Sequence, residues 1–153
     1  MKIVTVDETR LGQLIPLLRG YCDFYRVEPS DEDLLALCRA LLRDPEREGM
    51  QIIAEDTDGR AMGFATIYWT WSTLSASRTA VMNDLFVHPD FRGSGVAQAL
   101  IEECSARARQ RGATSLGWQT APDNRRAQAV YDRLGAQRDE WVDYTLDLAD
   151  RAT

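Results

Sequence analysis

Apolar residues recur at helical spacing over the first third of the chain. Residues 2–6 alternate like a short strand, and a helix is then predicted from an apolar stripe: Leu11, Leu14, Ile15, Leu18 and Cys22. Pro16 lies within this helix and predicts a kink or a break. A second helix is predicted to begin at Ser30, which forms a capping-box-like pair with Asp33. Its inner stripe is Leu34, Leu37, Cys38 and Leu41.

The rest of the chain has the pattern of a mixed α/β domain. Strands are predicted at 51–55, 61–71 and 79–87, and their short linkers favour an antiparallel meander. A helix from about 94 to 111, a strand at 114–120, a helix at 124–134 and a final alternating strand at 141–148 follow. We expect one domain over residues 1–153, since the chain contains neither an internal repeat nor a linker-like segment.

Composition excludes several classes of function. The net charge of −6 argues against nucleic acid as the main partner. An apolar run long enough to span a membrane is lacking, and the N-terminus has no signal-peptide core, so we expect a cytoplasmic protein. Cys22, Cys38 and Cys104 have the spacing of small core residues. His88 is the only histidine, and a metal site is not expected.

Charge is distributed unevenly along the chain. Residues 28–58 contain ten acidic and three basic side chains, and residues 92–133 contain seven basic and four acidic ones. If the fold separates the two regions, one suits a cationic ligand and the other an anionic ligand. The alternative is that both are solvated surfaces.

A basic, glycine-rich turn opens the helix after the third of these middle strands. Arg92, Gly93 and Gly95 stand where the first backbone N–H groups of that helix lack intrahelical partners. Glycine lets a phosphate approach the backbone, and the helix dipole adds positive potential, so the turn suits a pyrophosphate. It has neither the lysine of a P-loop nor the third glycine of a dinucleotide fingerprint. As a bare pattern it is equally a tight turn that needs small residues.

Two motifs together resemble a known family. The run from Arg92 to Ala97, preceded by Val87-His88-Pro89, is similar to the acetyl-CoA signature of the GCN5-related N-acetyltransferase (GNAT) superfamily. The spaced set Asn124, Ala127, Tyr131 and Gly135 resembles the family's other core motif. The resemblance implies a mixed, mostly antiparallel sheet of six to seven strands with about four helices. Its fourth and fifth strands would be parallel and splayed apart.

The resemblance implies a set of residues that bind acetyl-CoA. The backbone of the fourth strand would hold the pantetheine arm, and the amides of the glycine turn would hold the pyrophosphate. Asn124 would contact the arm or cap its helix, and Arg133 would approach a phosphate or remain solvated. The expected contacts are Leu85, Phe86, Val87, Arg92, Gly93, Ser94, Gly95, Val96, Ala97, Asn124, Ala127, Tyr131 and Arg133.

Two residues are candidates for proton transfer. Tyr131 can protonate the departing thiolate, since a free thiol has a pKa of about 8.5; the alternative is that it packs beside Val130 and Leu134. Asp84 is the first choice of base for the amine, whose ammonium form has a pKa of about 10.4. Asn83 stands where some relatives of this family have glutamate, so a water relay or direct attack by neutral amine is the alternative.

The acceptor side combines aromatic and acidic residues, a pairing that suits a cationic amine. The expected acceptor contacts are Tyr21, Phe24, Tyr25, Glu28, Tyr68, Trp69, Trp71, Asn83 and Asp84. The spacing of Tyr21, Phe24 and Tyr25 is similar to that of diamine acetyltransferases; the alternative is that these rings fill the core.

The resulting hypothesis is an N-acetyltransferase that moves the acetyl group of acetyl-CoA to a small cationic amine, by direct attack in a ternary complex. The alternatives are a protein lysine or N-terminal acetyltransferase and a non-catalytic acyl-CoA-binding module. Family members also form homodimers through their last strands. The expected surface here consists of Trp141, Val142, Tyr144, Leu146 and Leu148.

Overall fold

The computed structural model describes residues 1–148, which form five strands and four α-helices. The strands are β1 (Lys2–Thr5), β2 (Gly49–Glu55), β3 (Ala61–Ser72), β4 (Ser77–Val87) and β5 (Ala113–Gly117). The helices are α1 (Leu11–Phe24), α2 (Asp31–Arg43), α3 (Val96–Gln110) and α4 (Arg125–Arg133). The mixed α/β class and the four helices agree with the prediction.

The five strands form one sheet in the order β1-β2-β3-β4-β5. The first three pairings are antiparallel, and β4 and β5 are parallel, as expected. The parallel pair is joined through α3, whose length provides the crossover that a parallel connection needs. Five strands among the described residues are fewer than the six to seven expected.

The missing strand is the one predicted at 141–148, and that prediction was wrong. This segment is not part of the sheet, and Trp141 and Tyr144 are 76% and 93% exposed. Alternation of apolar residues shows a preference for extended backbone, whereas a strand also needs a neighbour for its hydrogen bonds. Within the described residues, the strand ladder ends at β5.

The main core lies between α1, α2 and one face of the sheet. α1 packs its predicted stripe against Ile53, Phe64 and Phe86, with Ile15 partly buried. α2 buries Leu34, Cys38 and Leu41, whereas the prediction for Leu37 was wrong: it lies at the edge of that helix face and is 42% exposed. α1 continues through Pro16, so the predicted break does not occur. Ser30 caps α2, as predicted, by accepting the N–H of Asp33 at 3.0 Å.

The three cysteines are buried and free, as a core role predicts. Burial raises the pKa of the Cys104 thiol to about 12 and also raises the pKa of Cys22 and Cys38. All three thiols are therefore neutral near pH 7.

The described residues form two compact units, residues 1–121 and residues 122–148. The first contains the sheet with α1, α2 and α3, and the second contains α4. None of the helices within residues 1–148 is long and apolar enough to cross a membrane.

Candidate active site

The glycine turn between β4 and α3 has a backbone that favours glycine. Gly93 and Gly95 have φ values of 83° and 85°, in the left-handed region that other residues adopt only with strain. A Cβ at either position would meet no atom of the described residues within 4 Å. The turn therefore needs glycine for its backbone conformation, and it leaves open space above both α-carbons.

Two side chains brace this turn. Ser94 Oγ donates to the carbonyl of Phe91 at 2.5 Å, and Arg92 Nε donates to the carbonyl of Val87 at 3.2 Å. Gly95 is the N-cap of α3, so the N–H groups of Val96 and Ala97 lie in its first turn. Backbone donors, a helix N-terminus and the Arg92 charge thus meet at one place, a combination that suits an anion.

The end of β4 has a free edge. The pairing of β4 with β5 stops at Val81 and Gly117, although β4 continues to Val87. The N–H of His88 donates to Met62 on the β3 side, and hydrogen-bonding direction alternates along a strand. The backbone groups of Leu85 and Val87 therefore face away from β3, on the side that β5 does not cover within the described residues. The predicted splay of the two strands has this origin.

Asp84 lies at a bulge in β4. Thr66 pairs with Asp84 and Ile67 pairs with Met82, so Asn83 is an extra residue on β4. Asn83 Nδ2 donates to Asp84 Oδ1 at 3.0 Å. Burial raises the pKa of Asp84, and hydrogen bonds from Thr66, Tyr21 and Asn83 partly oppose that rise. A carboxyl group with a raised pKa beside a free strand edge is suited to accept a proton.

Tyr21 on α1 brings the aromatic residues to this carboxylate. Its ring packs edge-on against Tyr25 and Phe86, with centroids 5.0 Å and 6.4 Å apart. Burial and then the charge of Asp84 raise the pKa of Tyr21. Tyr68 on β3 also interacts with Asp84, and burial raises the pKa of its hydroxyl. These contacts place Tyr21, Tyr68 and Asp84 in one group.

The other predicted acceptor contacts differ in their surroundings. Phe24 and Tyr25 are 53% and 45% exposed at the end of α1, and Glu28 is exposed in the loop that follows. Accessible rings at the end of the helix that carries Tyr21 suit a cationic ligand.

Trp69 and Trp71 make contacts within the protein. Trp69 is buried, its Nε1 donates to the carbonyl of Pro45 at 2.8 Å, and the Arg111 guanidinium lies 5.3 Å from its ring. Trp71 is mostly exposed, and its ring lies 5.4 Å from the Arg78 guanidinium. Trp69 therefore packs within the protein, whereas the ring of Trp71 lies against the Arg78 guanidinium.

The second unit contains the other motif. Asn124 caps α4, since its Oδ1 accepts the N–H of Ala127 at 3.2 Å. Of the two roles proposed for Asn124, the cap is therefore present. Tyr131 is half-buried on α4, and Arg133 is exposed in the last turn of that helix.

Two polar residues in line with Asp84 across the sheet were missed in the sequence: Thr66 pairs with Asp84, and Gln51 pairs with Thr66. Gln51 and Thr66 are both buried in the middle of β2 and β3. Their signal was a polar residue within an apolar strand. That signal is weak, because threonine is common in strands and a single glutamine also fits an exposed strand face.

Comparison with known proteins supports the resemblance to the GNAT superfamily that the two sequence motifs indicate. Residues 14–136 match the Acetyltransferase (GNAT) family, and the chain belongs to that family. The chain is 34% identical to the uncharacterized N-acetyltransferase YhfO of Bacillus subtilis, over 97% of this chain and 98% of that one. It is 25% identical to the thialysine N-ε-acetyltransferase of Caenorhabditis elegans, over 97% and 92% of the two chains.

Solved structures share the fold. A probable acetyltransferase superposes with a TM-score of 0.86 at 31% identity, covering 98% of this chain and 99% of that one. The aminoglycoside acetyltransferase AAC(6')-Iy, solved with the bisubstrate analogue CoA-S-monomethyl-acetylneamine, has a TM-score of 0.83 at 25% identity and covers 95% and 97%. The protein is accordingly an acyltransferase of GNAT type.

Proposed function

We propose that the protein transfers the acetyl group of acetyl-CoA to the primary amine of a small cationic molecule, such as a polyamine, a diamine or a lysine-like amine. The observation that carries the proposal is the free edge of β4, which runs from the Asp84 group directly into the glycine turn at the start of α3. An extended ligand along that edge would have an anion site at one end and a carboxylate at the other.

The donor side fits acetyl-CoA, which supplies the activated acetyl group when bound. The backbone of Leu85 offers a donor and an acceptor to a pantetheine arm, since it faces away from β3. Val87 offers its N–H on the same side, and its carbonyl already accepts from Arg92. The amides from Gly93 to Ala97, with Arg92, offer a pyrophosphate site. The CoA-containing complex of AAC(6')-Iy supports the same co-substrate.

The acceptor side fits an ammonium group. Asp84 is the carboxylate beside Tyr21 of α1 and Tyr68 of β3. Phe24 and Tyr25 are accessible at the end of α1. Aromatic faces and one carboxylate attract a cation and orient it. The names of two relatives support a small amine: one acts on thialysine and another on an aminoglycoside.

Proton transfer is assigned to two residues. Asp84 accepts a proton from the ammonium group, directly or through water, which leaves a neutral nitrogen able to attack in a ternary complex. Tyr131 donates a proton to the departing thiolate, as its place in the family motif implies. Asn124 holds the first turn of the helix that bears Tyr131. Ala127 and Arg133 lie on the same helix and stay predicted cofactor contacts.

A thermal-shift titration tests the donor site. Acetyl-CoA at 100 times its dissociation constant stabilises a folded protein by about 2.7 kcal/mol. We expect a corresponding rise in Tm with acetyl-CoA, and a smaller rise at the same concentration for Arg92→Ala. Arg109→Ala, in the last turn of α3, is the matched control. An unchanged Tm with acetyl-CoA would contradict the proposal.

A protein lysine or N-terminal acetyltransferase is the second candidate. It would need an acceptor site open to a peptide, and the exposed Phe24 and Tyr25 are compatible with one. A cytoplasmic location and a homodimer stay predictions. For the homodimer the support is the exposed apolar segment 141–148, and light scattering on the full chain and on a chain ending at residue 140 tests it.

A further inference from the structure

A row of three polar side chains crosses the sheet beneath α1 and α2. Gln51 of β2 pairs with Thr66 of β3, and Thr66 pairs with Asp84 of β4. Residues directly opposite each other in a ladder point to the same face, so the three side chains share one face. Thr66 is fully buried, and a buried polar side chain is costly unless it is hydrogen-bonded.

The hydrogen bonds of this row have a direction. Gln51 Nε2 donates to Thr66 Oγ1 at 3.3 Å. Because the Thr66 oxygen accepts from Gln51, its own proton points elsewhere, and the Asp84 carboxylate lies within its hydrogen-bonding reach. Cys38 of α2 contacts the Gln51 side chain on the other side. The Thr66 hydroxyl can therefore direct its proton toward Asp84, its pairing partner on β4.

We infer that Thr66 and Gln51 are positioning residues that hold the Asp84 carboxylate ionised and oriented for accepting a proton, with Gln51 directing the Thr66 hydroxyl toward it. The inference rests on the proposed function, because it assumes that Asp84 is the base. It adds two residues that do not touch the substrate but act through Asp84.

The titratable groups around Asp84 are neutral near pH 7, so hydrogen bonds are what favour its ionised form. The titratable groups that face Asp84 are Tyr21 and Cys22 of α1, Cys38 of α2 and Tyr68 of β3. Burial raises the pKa of each of them, so all four are neutral near pH 7. Asp84 is therefore the group that changes charge. Burial opposes its ionisation, and donors such as Thr66 and Tyr21 favour it.

The test is the pKa of Asp84 itself, measured by the carboxyl carbon shift in protein labelled at aspartate, with Asp84→Asn identifying the signal. Removing one hydrogen-bond donor from a carboxylate raises its pKa by about one unit. We expect Thr66→Val to raise the pKa of Asp84 by about that amount and Gln51→Met by less. Thr66→Ser retains the hydroxyl and should restore the original value.

Two controls separate this role from a structural one. Thr70→Val makes the same change on an exposed position of β3 and should leave the Asp84 signal unchanged. The acid limb of acetyl-CoA turnover with thialysine should move with the Asp84 signal in Thr66→Val. An Asp84 pKa that is the same in Thr66→Val, Gln51→Met and the parent would overturn the inference. Full turnover by Asp84→Asn would also overturn the inference, because Asp84 would then not be the base, whereas absence of turnover by the parent protein would overturn the proposed function.

Discussion

Gly20 of α1 lies against the ring of Phe86: a Cβ at Gly20 would stand 2.7 Å from Phe86 Cζ. Phe86 is buried beside Phe64 and Tyr21, so the ring has little room to move. The glycine lets α1 approach β4 closely enough for Tyr21 to reach Asp84. The contact between Tyr21 and Asp84 therefore depends on the close approach of α1 to β4.

Two glycines of α1 should respond oppositely to alanine. Gly20→Ala overpacks the core and should lower the free energy of unfolding by about 1–3 kcal/mol. Gly12→Ala meets no atom of the described residues within 4 Å and should raise it by about 0.5–1 kcal/mol, because glycine weakens a helix. Urea denaturation measures both. Equal changes in the free energy of unfolding for the two variants would contradict the close contact between Gly20 and Phe86.

The glycine turn predicts a separation of stability from cofactor binding. Gly95 and Gly112 have similar left-handed φ values of 85° and 76°, so alanine at either should cost about 1–2 kcal/mol. Only Gly95→Ala should also raise the KM for acetyl-CoA, by about tenfold, because only Gly95 lies at the start of α3. A similar rise in KM for Gly112→Ala would place the effect in general destabilisation.

Asp84→Asn should lose activity and gain stability. Removing a general base lowers kcat by about 10²–10⁴-fold. Burial raises the Asp84 pKa above its ordinary 3.8, so the folded protein holds this proton more tightly than the unfolded chain does. The stabilising contribution is present below the unfolded pKa and is lost as pH rises through the folded pKa. At pH 7 the neutral asparagine should therefore give a higher Tm. A lower Tm would contradict the account of the burial.

Tyr131→Phe tests the proton donor. The substitution removes one hydroxyl, and a lost general acid lowers kcat by about 10²-fold or more. The KM for acetyl-CoA should change little if the hydroxyl acts only on the leaving thiolate. Tyr144→Phe removes a hydroxyl from a ring that is 93% exposed and serves as the matched control. Unchanged kcat in a folded Tyr131→Phe protein would exclude the role.

The sequence predicted most of this fold from local signals. The stripes of α1 and α2, the cap at Ser30 and the glycine turn before α3 all lie within short segments that determine their own structure. The prediction of a strand at 141–148 failed because membership of a sheet is decided by the register between distant segments, which the alternation of apolar residues within one segment does not determine.

The candidate site divides in the same way. The glycine turn was found because its residues are consecutive, and Asp84 was found because it stands directly before the cofactor segment. Gln51 and Thr66 were missed because the row that they form with Asp84 depends on the register of three strands and on the bulge at Asn83. Trp69 stood in the expected place for an acceptor contact, whereas its buried ring contacts Pro45 and Arg111.

The most direct test of the central claim is thiol release from acetyl-CoA with a panel of amines: spermidine, putrescine, lysine, thialysine, neamine, glucosamine and short peptides. We expect release with one or more of the small cationic amines and little with the peptides. Release with peptides alone would favour a protein acetyltransferase. Absence of release with every amine, together with an unchanged Tm in acetyl-CoA, would contradict the account.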